Sequence, residues 1–396
     1  MNCSVTSSEK GLDRMTPDDT LWEFEPHTIA KHRILDRYLK AWAPILSQSG
    51  YQGKIVYIDG FAGPGEDLSH SHLGSPTLAL NLLLKHRLAS KMQAEIMLFF
   101  VEKRKDRARY LTELIDRMFP QSNRPSNIKI SIQCGDFNLV LKDILDELES
   151  KRSKLAPTFC FVDPFGWDDI NLDLIARLMC QEKAELFITF MVGFIDRFIF
   201  DDNHIVSIRK LYSEYQIQAV RRAERAQREE MLLNFLVQNI NDLMKQRGEP
   251  KEVYTISFRA ADSNNRLLYY LVYLTSHWKG MEVMKEAMYS VSHDGECSFS
   301  DFDFIPNQTS LVDYGLGTGW EENAADELYA YVKSVGVTGK WLPVEYVKRL
   351  IILHTKYAYR KGILEHLQKS GKIEVYGQQR PFTYPVDKVH IRFRNS

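Results

Sequence analysis

The stretch from Lys54 to Gly65 (KIVYIDGFAGPG) joins an apolar, β-branched run to an acid and then to a glycine-rich loop. The run reads as a buried strand. The loop reads as a turn whose main chain passes close to a bound ligand. Gly60, Gly63 and Gly65 lack Cβ, so positive φ and direct backbone contact are expected there, with Pro64 stiffening the turn. In an α/β sheet such a loop lies at the carboxyl end of a strand, where nucleotide-like ligands bind. Asp59, Gly60, Phe61, Ala62, Gly63 and Gly65 are the expected lining.

Three further segments fall where a nucleoside-binding sheet needs them. Ile96 to Glu102 is an apolar run ending in an acid, and an acid at that strand tip accepts hydrogen bonds from both ribose hydroxyls. Ile128 to Asp136 is a third strand with an acid just past its end, suited to an exocyclic amine. Thr158 to Trp167 is a fourth, continuing into Asp163-Pro164-Phe165-Gly166-Trp167. Four acid-tipped strands with helix-like segments between them read as half of a doubly wound sheet. Strand-end acids also serve as helix N-caps, and that alternative stands beside the ligand reading.

The elements around these residues set the frame. Pro26 to Leu46 has helical apolar spacing, through Ile29, Ile34, Leu35, Tyr38, Leu39 and Trp42. Gly74-Ser75-Pro76 reads as a helix start with Ser75 as N-cap, the helix running from Thr77 to Leu88. Glu185 to Met191 is a fifth strand. Residues 197–247 form a charged, mostly helical insertion, in which the Arg221 to Arg228 run reads as a solvated, salt-bridged helix. Val253 to Phe258 and Leu267 to Thr275 pair as a terminal hairpin, before a last helix over Lys279 to Ser290.

At 396 residues the chain has room for two domains, and 44% hydrophobic with 26% charged residues suits a water-soluble fold with a sizeable core. No apolar run approaches the ~20 residues of a membrane span, and residues 1–20 read as a disordered tail without a signal core. Cys3, Cys134, Cys160, Cys180 and Cys297 form no close pair, which fits reduced thiols in a cytoplasm and no metal site. Charge is uneven. Val337 to Ser396 carries 12 Lys/Arg against 4 Asp/Glu, and the remainder 39 against 48, of 51 and 52 in all. Helical segments over 325–335, 343–353 and 357–369, then strands over 372–376 and 388–393, read as a winged helix-turn-helix. Arg360, Lys361 and Lys369 are its candidate DNA or RNA contacts; a basic docking face for the acidic body is the alternative.

Asp59 to Gly65, Glu102, Asp136 and Asp163-Pro164-Phe165 resemble the motifs of class I S-adenosylmethionine-dependent methyltransferases, notably those that methylate exocyclic amines of nucleobases. More closely, the chain resembles the bacterial three-Cys-motif partner proteins (TcmP). The matching pieces are residues 27–32, 38–42, the Asp59 loop, 74–76, 162–166, 268–274 and the C-terminal module. The resemblance implies a Rossmann-like methyltransferase domain over 21–322, a winged helix over 323–396, S-adenosylmethionine as cofactor and a radical-SAM-like partner that carries the cysteine motif. It implies Lys31 as holder of the methionine carboxylate, unless Lys31 is a surface lysine. It also implies that Asp163 and the Pro164 carbonyl accept the N–H bonds of a target amine while Phe165, or Trp167, stacks on the base. The amine class usually has a second proline where Phe165 stands. A strand-end Asp-Pro turn with a core Phe is therefore the competing reading, and a non-catalytic methyltransferase-like binding protein the competing function.

Overall fold

Alternating apolar runs and amphipathic segments over residues 26–300 give α1 (Pro26–Gln48), β1 (Lys54–Asp59), α2 (Ser75–Lys85), β2 (Glu95–Glu102), α3 (Lys105–Met118), β3 (Ile128–Cys134), α4 (Phe137–Ser150), β4 (Thr158–Val162), α5 (Leu172–Met179) and β5 (Ala184–Phe190). There follow α6 (Val192–Phe198), α7 (Ile205–Ile208), α8 (Glu214–Arg222), α9 (Arg225–Gln246), β6 (Tyr254–Ala261), β7 (Leu267–Thr275), α10 (Trp278–Tyr289) and β8 (Ser298–Ser300). The computed structural model describes residues 19–48, 53–249, 251, 253–292, 297–300 and 319–395. Of the tail expected over residues 1–20, all but Asp19 and Thr20 lie outside the described residues.

The strands form one sheet in the order β3-β2-β1-β4-β5-β7-β6-β8. β1 to β5 run parallel, whereas β7 is antiparallel to both β5 and β6. β1 and β4 are neighbours without being consecutive, so the chain order reverses between them. The crevice at their carboxyl ends is where ligands bind in open α/β sheets. β8, parallel to β6, is an addition the sequence did not announce. Its three residues (Ser-Phe-Ser) carry too little apolar pattern to read as a strand.

Burial on both faces explains the near-continuous apolar runs. In β1, Ile55 and Tyr57 face a cluster with Ile34, Leu35, Tyr38, Leu80 and Met284 from α1, α2 and α10. Val56 and Ile58 face Val140, Leu141, Leu174 and Leu178 from α4 and α5. Each large apolar side chain so buried contributes about 1.5–3 kcal/mol. Caps set several helix starts: Asp136 accepts from Asn138 and Leu139 N–H on α4, Asn171 caps α5, and Ser213 and Gln216 form a capping box on α8. Gly74, not Ser75, is the N-cap of α2.

The arginine-rich run is not one helix. α8 ends at Arg222 and α9 begins at Arg225, with Ala223 and Glu224 extended between them. Arg221 donates to the Ile199 carbonyl (2.8 Å) and Arg228 to the Ala223 carbonyl (3.1 Å), so these cations satisfy free backbone oxygens.

The C-terminal segment forms α11 (Trp320–Ser334), β9 (Trp341–Pro343), α12 (Val344–His354), α13 (Lys361–Lys369), β10 (Ile373–Tyr376) and β11 (His390–Phe393), with an antiparallel sheet β10-β11-β9. Leu328, Val347, Ile351, Leu364, Ile391 and Phe393 make its own core. It also docks on α10. The Lys285 ammonium, whose pKa burial lowers to about 8, donates to the Thr355 and Tyr357 carbonyls. Trp320 donates to the Tyr289 hydroxyl (2.9 Å), and Lys348 and Arg360 pair with Glu282 and Glu286. These contacts hold Tyr357 and Ala358 as buried chain before α13, which delays that helix to Lys361.

Candidate functional site at the carboxyl edge of the sheet

Register brings the sequence-predicted acids to one edge. Asp59 pairs with Phe100 of β2 and Phe161 of β4, which places Glu102 and Asp163 just beyond it on either side. Glu102 pairs with Cys134, so Asp136 follows two residues on. The loop is stitched between these strands, Gly60 N–H to the Phe161 carbonyl and Ala62 N–H to the Val101 carbonyl, both 2.9 Å.

The glycines serve different purposes. Gly63 and Gly65 have φ of +63° and +94°, as expected, but Gly60 does not have positive φ. A Cβ at Gly60 would lie 2.7 Å from the Phe137 ring, so close packing against α4 requires that glycine. At Gly65 a Cβ would meet Leu111 at 2.7 Å, and Gly74 packs its own backbone onto Gly65. Gly65 therefore has a packing role behind the loop.

Asp59 is fully buried. Burial raises its carboxyl to about 7, against a hydrogen bond from Ser75 and the Phe61 N–H. It braces the loop and α2 from below, and its bond from Ser75 explains why Ser75 is not a cap. Glu102 binds both sides of the crevice: Oε2 accepts from Gly63 N–H (2.9 Å) and Oε1 from Arg104 N–H (2.7 Å). Each oxygen keeps a lone pair for a further donor. Asp136 caps α4 and pairs with Lys103 at 3.0 Å, so its first role is the helix cap.

Lys31, on α1, is 5% exposed and no surface lysine. Its ammonium pairs with Asp163 Oδ2 and lies 5.5 Å from the Tyr269 ring centroid. The Thr189 hydroxyl, one step past the Val162↔Ile188 register, donates to Asp163 Oδ1 at 2.5 Å. Both Asp163 oxygens are thus engaged. His32 beside them is held neutral: burial, then the Lys31 charge, lowers its pKa to about 3. Pro164 is buried and Phe165 half-buried. Trp167 sits in the core at 2% exposure among Phe194 and Phe198, so Phe165 is the aromatic of this pair left at the site.

A strap over residues 19–25, which no periodic sequence pattern announces, covers the loop. Thr20 donates to Asp106 (2.7 Å), Arg107 to the Asp19 carbonyl (2.8 Å), and Leu68 N–H to the Trp22 carbonyl (3.0 Å). A Cβ at Gly63 would touch the Trp22 ring at 3.5 Å, and Trp22 meets Phe165 edge-on at 6.0 Å. The signal was there in Trp22 and Phe24, two large aromatics too costly to leave in water. Thr189 was also legible as the one hydroxyl in an apolar strand tip.

Of the proposed nucleic-acid contacts, Arg360 is turned onto α10, pairing with Glu286 and lying 4.6 Å from the Tyr289 ring centroid. It thus helps seat the internal docking face, with 34% of its side chain still exposed. Lys361 is exposed and pairs with Glu365 (3.1 Å), and Lys369 lies over the Phe382 ring.

No family model and no curated protein matches the chain. Solved structures with a similar trace include Trm1 from Pyrococcus horikoshii in complex with S-adenosyl-L-methionine, at 13% identity and TM-score 0.36, covering 96% of this chain and 94% of that one. A putative O-methyltransferase from Klebsiella pneumoniae matches at 9% identity and TM-score 0.31, over 63% and 88% of the two chains. The S-adenosylhomocysteine-bound methyltransferase PaMTH1 from Podospora anserina matches at 9% and 0.25, over 70% and 100%. Likenesses this loose carry no argument about activity. No described helix is long and apolar enough to cross a membrane.

Proposed function

We propose that the chain is an S-adenosylmethionine-dependent methyltransferase acting on an exocyclic amine of nucleic acid or a nucleobase-like substrate, together with a three-Cys-motif radical-SAM-like partner. One observation carries this reading. A positive-φ glycine loop, an acid bridging it to the next strand, and a part-buried Lys–Asp pair converge at the reversal point of a parallel sheet. The donor set suits the cofactor: Glu102 offers lone pairs to ribose hydroxyls, Gly63 lets the main chain approach, and Lys31 supplies a cation for a carboxylate. When bound, S-adenosylmethionine supplies an electrophilic methyl group. Asp163 and the Pro164 carbonyl then accept the amine's N–H bonds and orient its lone pair. Thr189 fixes the Asp163 carboxylate, Phe165 stacks on the base, and Trp22 closes the outer wall against water.

Three helices followed by an antiparallel ribbon support a winged helix-turn-helix over 323–396 that holds the polymer, with the methyltransferase-like domain over 21–322. A second reading, a non-catalytic binding protein that assists the three-Cys partner, draws on the engagement of both Asp163 oxygens and on Phe165 in place of a second proline. Incubation with methyl-labelled S-adenosylmethionine and DNA, RNA or nucleoside pools separates the two. The enzyme reading expects label in a base amine, lost in Asp163→Ala while cofactor affinity stays within a few fold. Cofactor binding without label in any pool, with or without the partner, selects the second.

A further inference from the structure

We infer that the outer face of the C-terminal sheet is a stacking platform for single-stranded nucleic acid. This deepens the proposed reading by naming the form of polymer. Directly opposed residues of antiparallel strands share a face. The register Tyr376↔His390↔Pro343 and Glu374↔Arg392↔Trp341 therefore puts all six side chains on one side. The opposite side, with Ile373, Ile391 and Phe393, is buried in the module's core. The outer face keeps two large aromatics in water, Tyr376 at 69% and Trp341 at 43% exposure. Their rings lie 5.9 Å apart, and the Arg392 guanidinium lies 4.8 Å from the Trp341 centroid.

Charge selects the occupant. Glu374 is the one acid among the six, and it positions two cations, Arg392 and Arg394 (3.1 Å). Lys340 and Lys388 flank β9 and β11 in a segment with a surplus of cations. On the helical side Lys348 and Arg360 are drawn onto α10, whereas Arg392 and Arg394 stay on the sheet beside the exposed rings. Exposed rings bordered by arginine match unpaired bases joined by phosphates. A duplex hides its base faces and offers such rings nothing to stack on.

The test is fluorescence anisotropy with the full-length protein, labelled oligo(dT), oligo(U) and a duplex, across a salt series. Single strands should bind more tightly than duplex, with a log–log salt slope of about −0.7 per phosphate contacted. Trp341→Ala and Tyr376→Ala should each weaken single-strand binding roughly tenfold. Trp341→Phe and Tyr376→Phe should restore it, and all four should melt near the parent temperature. S-adenosylmethionine affinity of the same variants should not change, so failure of the methyltransferase reading leaves this result standing. Wild-type single-strand affinity in a folded Trp341→Ala protein would overturn the inference. So would equal affinity for duplex, or no binding to either single strand at low salt, an outcome that assigns the face to a protein contact.

Discussion

Lys31 and Asp163, 132 residues apart in sequence, meet as an ion pair between the first helix and the tip of the fourth strand. The pair joins the group proposed to hold the cofactor carboxylate to the group proposed to hold the target amine. Lys31→Met leaves Asp163 with Thr189 alone. Asp163 keeps 23% of its side chain exposed, so the stability loss should fall below the ~3–5 kcal/mol of a fully buried pair, at about 1–2 kcal/mol. Denaturant titration should show that loss, and Lys31→Met/Asp163→Asn should recover part of it. A Lys31→Met protein as stable as wild type would make the contact incidental.

Glu102 has two duties, and two variants separate them. Glu102→Ala should lower S-adenosylmethionine affinity about tenfold to a hundredfold, as loss of a charged acceptor worth roughly 1.5–3 kcal/mol. It should also loosen the loop, because Gly63 and Arg104 N–H lose their acceptor. Glu102→Gln keeps one carbonyl oxygen and should fall between. Amide exchange at Gly63 and calorimetry read the two effects; unchanged affinity in both variants would reduce Glu102 to a loop brace.

Gly65→Ala combines φ of +94° with a Cβ 2.7 Å from Leu111. A cost of about 2 kcal/mol or more follows, seen as a melting point lower by several degrees. Gly63→Ala has positive φ but no clash, its nearest neighbour being Trp22 in ordinary contact at 3.5 Å, and should cost less. Equal melting points for the two would contradict the packing role of Gly65.

Asp59 should leave a pH signature. Its folded pKa of about 7 exceeds the ordinary 3.8 because of burial. The folded state therefore binds this proton more tightly than the unfolded state does. The contribution is fully present below pH 4 and is lost as pH rises to about 7, with a slope near 1.4 kcal/mol per unit at most. Asp59→Asn should thus gain on wild type as pH rises from about 4 to about 7, with no further gain above that. His32, lowered to about 3, acts with the opposite sign below pH 6.5 and is common to both proteins. A stability difference that does not change with pH would mean that Asp59 stays charged.

The sheet was legible because strands buried on both faces announce themselves: β1, β2, β4, β5 and β7 lie within a few residues of their expected bounds. The acids were found as a set, yet their individual roles were not. Strand-tip position is shared by ligand contacts, caps and braces, and only packing shows the cap at Asp136 and the brace at Asp59. Arg360 shows the same limit: its pairing with Glu286 depends on the docking of the C-terminal segment onto α10, which local sequence does not reveal. The short β8 and β9 and the strap with Trp22 are fixed by tertiary partners, and local periodicity has no access to those.

Lys31, the Gly63 loop and Glu102 are proposed to hold S-adenosylmethionine at this edge of the sheet. Isothermal titration of the full-length protein with S-adenosylmethionine and with S-adenosylhomocysteine tests it most directly. Saturable binding of both is predicted, weakened at least tenfold in Glu102→Ala and unaltered in the distant Tyr376→Ala. Heat signals indistinguishable from dilution for both ligands, with a folded wild-type protein, would contradict the account.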